Sequence, residues 1–427
     1  MTKKPNIVIV IIDALKTKHL SLYGYPKETD KNLKEIAKES AVFSNHISVS
    51  NATFPSLTSL FTGNYPATHG LIHQMPHTEK QEYEKLKKIK FWLPTYLKNQ
   101  GYETISIDWI GLWFKKGFDY YDEKKEIPAK LNRILKKPII KKILLNLSGR
   151  TYFILKKIFK RKQTIGIPSS KEMTDTALMK IKQSEKPFFL FIHYADTHFP
   201  FPHTKYKAKN KKNIKQVYKK ITDKNQGEYF KKRITDINLY SKEDIIGKYD
   251  LSIKKVDQEI SRIYNYLKKE RKWENTIFII LADHGESLFE HQIYFSHSGL
   301  YDDTIHTPLI MHLPGQKHKK VNHLVQNIDI TPTILDCLGE RMPQMDGKSL
   351  LQTIRKNKPI RNRTYSYDGL AKDIKCTRTK TKKTIIAKNN RCNLCRAFHH
   401  QQYEEYDLKK DPLELKNIAL KLTNAID

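Results

Sequence analysis

Asn6-Ile-Val-Ile-Val-Ile-Ile-Asp13 is an unbroken run of apolar, mostly β-branched residues close to the start of the chain. Such a run is typical of a strand that is buried on both faces in a parallel sheet. It ends in the carboxylate of Asp13. Because open α/β sheets bind ligands at the carboxyl ends of their strands, we expect Asp13 to lie in a functional site.

Three further runs repeat this pattern, namely Glu103–Asp108, Pro187–His193 and Asn275–Asp283, and residues 250–269 carry apolar side chains at helical spacing. Alternating strands and helices predict an α/β fold with a doubly wound, mostly parallel sheet. We assign this catalytic domain to residues 1–355. Short strand-like pieces such as Lys383–Ala387 predict that residues 356–427 form a smaller C-terminal antiparallel α+β subdomain with a final helix.

The composition indicates a folded protein with an anionic partner. Of 427 residues, 39% are hydrophobic and 11% are aromatic, which is enough to pack a core and argues against general disorder. Lys and Arg number 78 against 45 Asp and Glu, a formal net charge of +33. We therefore expect an anionic ester substrate or surface. Nucleic acid is not an expected partner, and the oligomeric state stays open.

The apolar runs and the cysteines bear on where the protein works. No apolar run reaches the roughly 18 residues of a membrane span, so we expect a cytoplasmic protein without a signal peptide, able to lie at the membrane surface. Four cysteines in a chain of this length do not suggest a disulfide framework. Cys376, Cys392 and Cys395, with His399 and His400, could hold a structural zinc ion or be free thiols.

Two Lys-rich segments interrupt the alternation of strands and helices. Residues 126–163 carry twelve Lys or Arg and one acid, Glu126, interleaved with Ile, Leu and Phe. This pattern predicts a basic amphipathic helical insertion that docks on anionic lipid or glycan, or alternatively a packed helix pair with solvated lysines. Residues 205–235 contain few aliphatic side chains, so we predict a solvated helix or a mobile loop there.

The chemistry-bearing residues fall into two stretches. Asp283-His284-Gly285-Glu286 ends a predicted strand, where Gly285 allows a turn that aims a carboxylate and an imidazole at one point. Thr53 precedes Pro55 and an apolar helix, so its hydroxyl is predicted at a helix N-terminus, where anions are favoured. A divalent metal held by Asp13, Asp283 and His284 would make that hydroxyl a nucleophile. Alternatively, Thr53, Asp283 and His284 only cap helices.

Nine short blocks extend these stretches along most of the chain: Pro5–Asp13, Thr53–Gly63, Gly101–Thr104, His193–Pro200, Ala282–Glu286, His297–Asp303, Asp329–Leu335, Met345–Leu350 and Glu405–Glu414. In this order they resemble the sulfatases of the alkaline phosphatase superfamily. The resemblance implies an alkaline-phosphatase-like or sulfatase-like fold and the hydrolysis of sulfate or phosphate esters.

The chain departs from the pattern of that family at several positions. Family sulfatases convert a Cys or Ser to formylglycine at the position of Thr53 and carry Arg at the position of Leu57. Threonine cannot give that aldehyde, and superfamily relatives with a threonine nucleophile act on phosphodiesters, phosphonates and pyrophosphates or transfer phospho-alcohol groups. Ala14 replaces a second acid, and Asp108-Trp-Ile-Gly111 replaces a sulfate-binding Lys-Trp-His segment.

The remaining polar candidates are histidines. The resemblance places His198 and His297 where they would contact the transferring oxygens or protonate the leaving group. His193, His203, His291 and His306 are weaker candidates. With His284 in place of an amide and one acid fewer, we expect one divalent ion, with Zn²⁺ or Mn²⁺ favoured over Ca²⁺ or Mg²⁺.

These observations predict a metal-dependent ester hydrolase of the sulfatase family. Metal-bound Thr53 attacks sulfur or phosphorus in line and forms a covalent ester, with Asp13, Thr53, Asp283 and His284 as metal ligands. A phosphodiesterase, a phosphonate hydrolase or a phospho-alcohol transferase acting on a membrane or cell-envelope substrate is one alternative. A non-catalytic anion-binding protein is another.

Overall fold

A computed structural model describes residues 4–122, 167–209, 214–388 and 391–419 of the chain. Its larger sheet has eight strands in the order β4-β3-β5-β1-β6-β7-β2-β8. Their bounds are β1 (Asn6–Ile12), β2 (Ala41–His46), β3 (Glu103–Ile107), β4 (Tyr120–Asp122), β5 (Phe188–Tyr194), β6 (Thr276–Leu281), β7 (Leu309–His312) and β8 (Lys319–Val325). Only β7 runs antiparallel to its neighbours in this sheet.

Helices cover both faces of this sheet. The α-helices in the described residues are Lys31–Ala37, Thr53–Thr62, Pro66–His69, Lys80–Lys87, Leu93–Asn99, Ser170–Gln183, Ile214–Lys219, Lys224–Ile237, Lys242–Lys269, Asp302–Ile305, Ile330–Cys337 and Leu351–Lys356. Short 3₁₀ turns occupy Thr17–His19, Ser21–Tyr23, Leu112–Lys115, Trp273–Asn275, Glu290–Gln292 and Asn327–Asp329. No described helix is long and apolar enough to cross a membrane.

Strand β1 lies at the centre and separates two apolar cores. Val8, Val10 and Ile12 belong to one core, which also contains the buried face of the helix Lys242–Lys269. Residues 7, 9 and 11 belong to the other core, which contains Leu57 and Leu97 from helices on the opposite face. Because successive side chains of a strand point to opposite faces, both faces of β1 are buried, as its unbroken apolar run predicts.

The second sheet is antiparallel and has the order β12-β11-β10-β9, formed by β9 (Thr364–Tyr367), β10 (Ile374–Arg378), β11 (Lys382–Ala387) and β12 (Tyr403–Asp407). Buried charges join it to the larger unit. Lys383 Nζ lies 2.6 Å from Asp302 Oδ1 and 2.5 Å from Glu414 Oε1. Arg378 Nη2 lies 2.9 Å from Asp302 Oδ2. The C-terminal sheet is thus anchored on the short helix Asp302–Ile305.

The structure confirms the doubly wound, mostly parallel α/β sheet and the smaller antiparallel sheet. Each predicted strand is present within one or two residues of its predicted bounds, and the helix predicted over 250–269 begins earlier, at Lys242. The predicted insertion at 126–163 and most of the predicted final helix lie outside the described residues.

The prediction of a solvated helix or a mobile loop over residues 205–235 is correct in part, since helices form there but one face of the second helix is buried. Helices Ile214–Lys219 and Lys224–Ile237 form there, and Phe230, Ile234 and Ile237 of the second helix are buried. Phe230 packs edge-on against Tyr294, with ring centroids 4.9 Å apart. The aromatic ring supplies the apolar contact that the low aliphatic content seemed to rule out.

Candidate active site

The carboxyl ends of β5, β1 and β6 bring two acids and a histidine together. These three strands are neighbours in the sheet, and His193, Asp13 and Asp283 lie at their ends. All three side chains are buried. Asp283 Oδ1 accepts hydrogen bonds from the backbone N–H groups of Ala14, at 3.3 Å, and of His284, at 2.9 Å. Its Oδ2 has no hydrogen-bond partner.

Thr53 is the first residue of the helix Thr53–Thr62, and Ala52 precedes it as the N-cap. Its Oγ1 lies 3.1 Å from Nε2 of His284. The same Nε2 is 3.4 Å from Asp13 Oδ1 and 3.5 Å from Asp283 Oδ2. The structure therefore brings together the four residues predicted to form the metal site.

The alternative that these residues only cap helices does not fit this geometry. The N-cap of this helix is Ala52 and not Thr53, and no side-chain capping hydrogen bond forms there. The next described element after His284 is the 3₁₀ turn Glu290–Gln292, so Asp283 and His284 cap no helix. Gly285 allows a close backbone approach, because a Cβ at this position would collide with the carbonyl oxygen of Asp303.

His193 is a central member of the site, although the sequence indicated it only weakly. Its Nε2 lies 3.8 Å from Asp13 Oδ2, and its Nδ1 lies 3.0 Å from Asp108 Oδ1. Asp108 Oδ2 in turn accepts a hydrogen bond of 2.6 Å from Tyr121 Oη. A carboxylate on Nδ1 fixes the tautomer and leaves the Nε2 lone pair facing Asp13. The position of His193 at a strand end beside β1 was the signal that could have identified it.

The donor set fits a divalent metal ion. Ligand atoms of Asp13, His193 and Asp283 lie within 4.8 Å of one another. Both carboxylate oxygens of Asp13, Oδ2 of Asp283 and Nε2 of His193 are buried without a hydrogen-bond partner. Burial, and then the charges of Asp283 and Glu286, raise the pKa of Asp13 well above its usual value. Unpartnered buried carboxylates that face one another are expected where a cation binds.

His198 and His297 complete a cluster of imidazoles around His284. The rings of His284 and His297 stack with centroids 4.2 Å apart, and the rings of His198 and His297 are 5.7 Å apart. Nδ1 of His284 and of His198 contact the carbonyl oxygens of Gly285, at 2.8 Å, and Phe199, at 2.7 Å. Nδ1 of His297 contacts the carbonyl oxygen of Asn51.

These three contacts assign the same tautomer to each ring, since a carbonyl oxygen only accepts. Each Nδ1 donates its N–H, and each Nε2 keeps its lone pair. Burial lowers the pKa of His284 to about 3 and that of His198 to about 4, and it holds the pKa of His297 well below its usual value. The cluster is therefore neutral near pH 7 before an anion enters.

Two further ionisable residues adjoin the cluster. Both carboxylate oxygens of Glu286 are buried without a partner, and burial raises its pKa to about 8. The guanidinium of Arg233 lies over the ring of Phe199, 4.5 Å from its centroid, and donates hydrogen bonds to Tyr229 Oη. Its positive charge lowers the pKa of Glu286 and, after burial, that of His198. Arg233 was missed because it lies in the segment predicted to be solvated.

The other weakly indicated histidines make separate contacts. Nε2 of His203 contacts the carbonyl oxygen of Ile167 at 2.5 Å, and Nε2 of His306 contacts that of Ser44 at 2.8 Å. His291 stacks on Tyr301 with ring centroids 3.7 Å apart. Leu57, at the position of the family arginine, is buried in an apolar core.

The four cysteines are all free, and Cys337 packs against the apolar core that contains Leu57. Cys376 lies in the core of the small sheet, whereas Cys392 and Cys395 belong to a separate cluster. Ligand atoms of Cys392, Cys395 and His399 lie within 4.8 Å of one another.

Comparison with known proteins gives a consistent result. The family model described as Sulfatase matches residues 5–340, and the model described as N-sulphoglucosamine sulphohydrolase, C-terminal, matches residues 290–425. A sulfatase of Formosa agariphila is 24% identical over 449 residues, which covers 97% of this chain and 83% of that protein.

Solved structures share the fold. The structure of BT4656 in complex with its substrate D-glucosamine-2-N,6-O-disulfate superposes with a TM-score of 0.65 at 20% identity, covering 99% of this chain and 95% of that one. The phosphonate monoester hydrolase of Agrobacterium radiobacter superposes with a TM-score of 0.66 at 16% identity, covering 99% and 93%.

Proposed function

The chain belongs to the sulfatase family of ester hydrolases within the alkaline phosphatase superfamily, and we propose that it cleaves monoanionic sulfate esters with Thr53 as nucleophile. The observation that carries this proposal is the position of Thr53 Oγ1. It lies at a helix N-terminus, 3.1 Å from His284 Nε2, beside buried carboxylate oxygens that have no partner.

Asp13, His193 and Asp283 are the residues that would hold a divalent ion. His284 Nε2 is close enough to both carboxylates to join them, as its predicted role as a ligand requires. A divalent ion bound there would lower the pKa of a contacting hydroxyl and neutralise charge on the transferring group. Two oxygen and two nitrogen donors suit Zn²⁺ or Mn²⁺ better than Ca²⁺.

The charge of the site favours a monoanionic tetrahedral group. A divalent ion would balance the charges of Asp13 and Asp283, and the three imidazoles are neutral near pH 7. Arg233, which lies over the Phe199 ring and whose charge acts on His198, is a cation beside the cluster. A sulfate monoester carries one negative charge, and so does a phosphodiester or a phosphonate monoester. A phosphate monoester dianion would need more positive charge than these residues supply.

Histidines of the cluster would take part in proton transfer during the reaction. A metal-bound Nε2 has no lone pair left for a proton, so His284 as a ligand would hold the ion beside the Thr53 hydroxyl, 3.1 Å from Nε2, and the ion would lower the pKa of that hydroxyl. An anionic substrate favours protonation of nearby imidazoles, so Nε2–H of His297 or His198 would donate a proton to the leaving alcohol. Water would then hydrolyse the ester on Thr53 and restore the hydroxyl.

A second candidate function is hydrolysis of phosphodiesters or phosphonate monoesters. Thr53 favours it, because a threonine side chain cannot give the aldehyde that family sulfatases use. Transfer to an alcohol acceptor in place of water uses the same residues. Docking of residues 126–163 on anionic lipid or glycan stays a prediction, as does the choice of metal.

The test is a comparison of nitrophenyl sulfate, bis-nitrophenyl phosphate, nitrophenyl phenylphosphonate and nitrophenyl phosphate, each with Mn²⁺, Zn²⁺ or Ca²⁺. We expect turnover of the sulfate, with the two monoanionic phosphorus esters as the alternative. Thr53→Ala should abolish turnover without loss of fold, and Thr53→Ser should retain part of it. Full activity in Thr53→Ala would refute the covalent mechanism. A clear preference for nitrophenyl phosphate would contradict the charge argument.

A further inference from the structure

The loop between β11 and β12 carries a second group of metal-ligand side chains. Cys392 and Cys395 are buried and His399 is half-buried, and one ligand atom of each lies within 4.8 Å of the other two. Cys395 Sγ lies 3.0 Å from His399 Nε2. We propose that Cys392, Cys395 and His399 bind a zinc ion, at a site distinct from the one at Asp13.

The backbone of this loop is arranged as a tight turn around Cys392. The N–H of Arg396 donates to the carbonyl oxygen of Cys392 at 2.8 Å, and the N–H of Cys392 donates to that of Ala397 at 2.9 Å. Arg396 adopts a positive φ of 64°. This turn holds the two sulfur atoms on one side of the loop, where they can share a ligand.

Hydrogen bonds to sulfur favour the deprotonated state that metal binding needs. Cys392 Sγ accepts from the N–H of Leu394 at 3.3 Å and is 3.1 Å from Ser298 Oγ. Donors of this kind stabilise a thiolate, which is the form of cysteine that binds metal. Two thiolates and an imidazole are a ligand set that selects Zn²⁺, and Cys-x₂-Cys spacing is usual in zinc sites. A fourth position stays open for water or another group.

The site would fix the loop that carries His297. Ser298, next to His297, contacts Cys392 Sγ, and the N–H of Leu300 donates to His400 Nε2 at 2.9 Å. A zinc ion would therefore hold residues 391–400 against residues 296–300. This assigns Cys392, Cys395 and His399 a positioning role towards His297, separate from the reaction itself.

The experiment uses the full-length protein, purified without chelator, and the double variant Cys392→Ser/Cys395→Ser. Cys376→Ser, which alters a buried cysteine in another cluster, is the matched control. Elemental analysis should show loss of one zinc per chain in the double variant only. After exchange into Co²⁺, thiolate-to-cobalt charge-transfer absorption should appear in the wild type and in Cys376→Ser and be absent from the double variant.

Asp13→Asn separates this site from the proposed active site, because it should keep the thiolate-to-cobalt band while losing hydrolysis. If the double variant fails to fold, alkylation of the wild type replaces it. Cys392 and Cys395 should react slowly with iodoacetamide and at least tenfold faster after chelation, whereas Cys376 should be unaffected. Unchanged zinc content in the double variant, no sulfur-to-cobalt band in the wild type, or a disulfide between Cys392 and Cys395 in the metal-free native protein would overturn the proposal.

Discussion

Asp108 offers a sharp test of the metal site, because it would act on the ion only through His193. Its Oδ1 lies 3.0 Å from His193 Nδ1, and both side chains are fully buried. Removing such a carboxylate behind a metal-binding histidine typically weakens metal affinity about 10–100-fold, or about 1.4–2.7 kcal/mol. We expect the loss of metal affinity in Asp108→Ala to lie near the upper end of this range. Asp108→Asn should lie near the lower end, since an amide oxygen can still accept the N–H without the charge.

The assay is a titration of the metal-free protein, prepared by chelation, with Mn²⁺ and Zn²⁺ in metal buffers. Binding is measured by calorimetry and, separately, by the recovery of hydrolysis of the best ester. Tyr121→Phe removes the 2.6 Å hydrogen bond to Asp108 Oδ2 together with the one that Tyr121 Oη accepts from the N–H of Gly111, and it should weaken affinity less than either Asp108 variant. Asp119→Asn is the control, since Asp119 instead bonds Thr104 and Lys98. Wild-type metal affinity in a folded Asp108→Ala protein would refute the assignment of His193 as a ligand.

Three further outcomes are expected. Chelation should abolish hydrolysis and lower the Tm, because it leaves buried carboxylates facing one another, and Mn²⁺ or Zn²⁺ should restore both; a chelated protein with full activity and unchanged Tm would contradict a metal site. Burial lowers the pKa of His69 to about 3, so the unfolded chain gains a proton near pH 6.5 that the folded chain does not. As the pH is lowered from about 6.5 to about 3, this group should therefore reduce the free energy of unfolding by up to about 1.4 kcal/mol per pH unit. In urea titrations, His69→Asn should show a smaller loss over the same range. Lys383→Met should lower the free energy of unfolding in urea by about 3–5 kcal/mol, because the buried carboxylates of Asp302 and Glu414 lose this lysine as a partner. Lys382→Met, at the exposed neighbouring residue, should lower it by about 1 kcal/mol or less.

The sequence predicted those parts of the site that depend on strand ends. The apolar runs before Asp13 and Asp283 indicated buried parallel strands, and the order of strands β5, β1 and β6 then brings their ends together. The contribution of Arg233 could not be predicted in this way. The position of Arg233 depends on how the helix Lys224–Ile237 packs through Phe230. The spacing of apolar residues within a helix does not show which loop the helix will contact.

The same limit applies to the smaller sheet. The piece Lys383–Ala387 was identified as a strand, but its partners and its anchor were not. The anchor joins Lys383 to Asp302, which is far away in the chain. In a strand whose residues alternate between buried and exposed, the sequence alone predicts that a lysine faces solvent, because its buried partners are not known. Tertiary context decides the burial of a charged residue, because burial is tolerated only where opposite charges are already in place.

Two departures from the family pattern, at Ala14 and at Asp108, are connected through His193. Ala14 offers no oxygen where the family has a second acid, and the Nε2 of His193 lies 3.8 Å from Asp13 instead. His193 needs a partner on Nδ1, and Asp108 supplies it from the segment where the family has sulfate-binding side chains. The chain thus exchanges two groups that would contact the substrate for support of a nitrogen ligand. In the proposed function, neutralising the substrate would fall to the metal ion and to Arg233, and for this reason we expect a monoanionic ester as substrate.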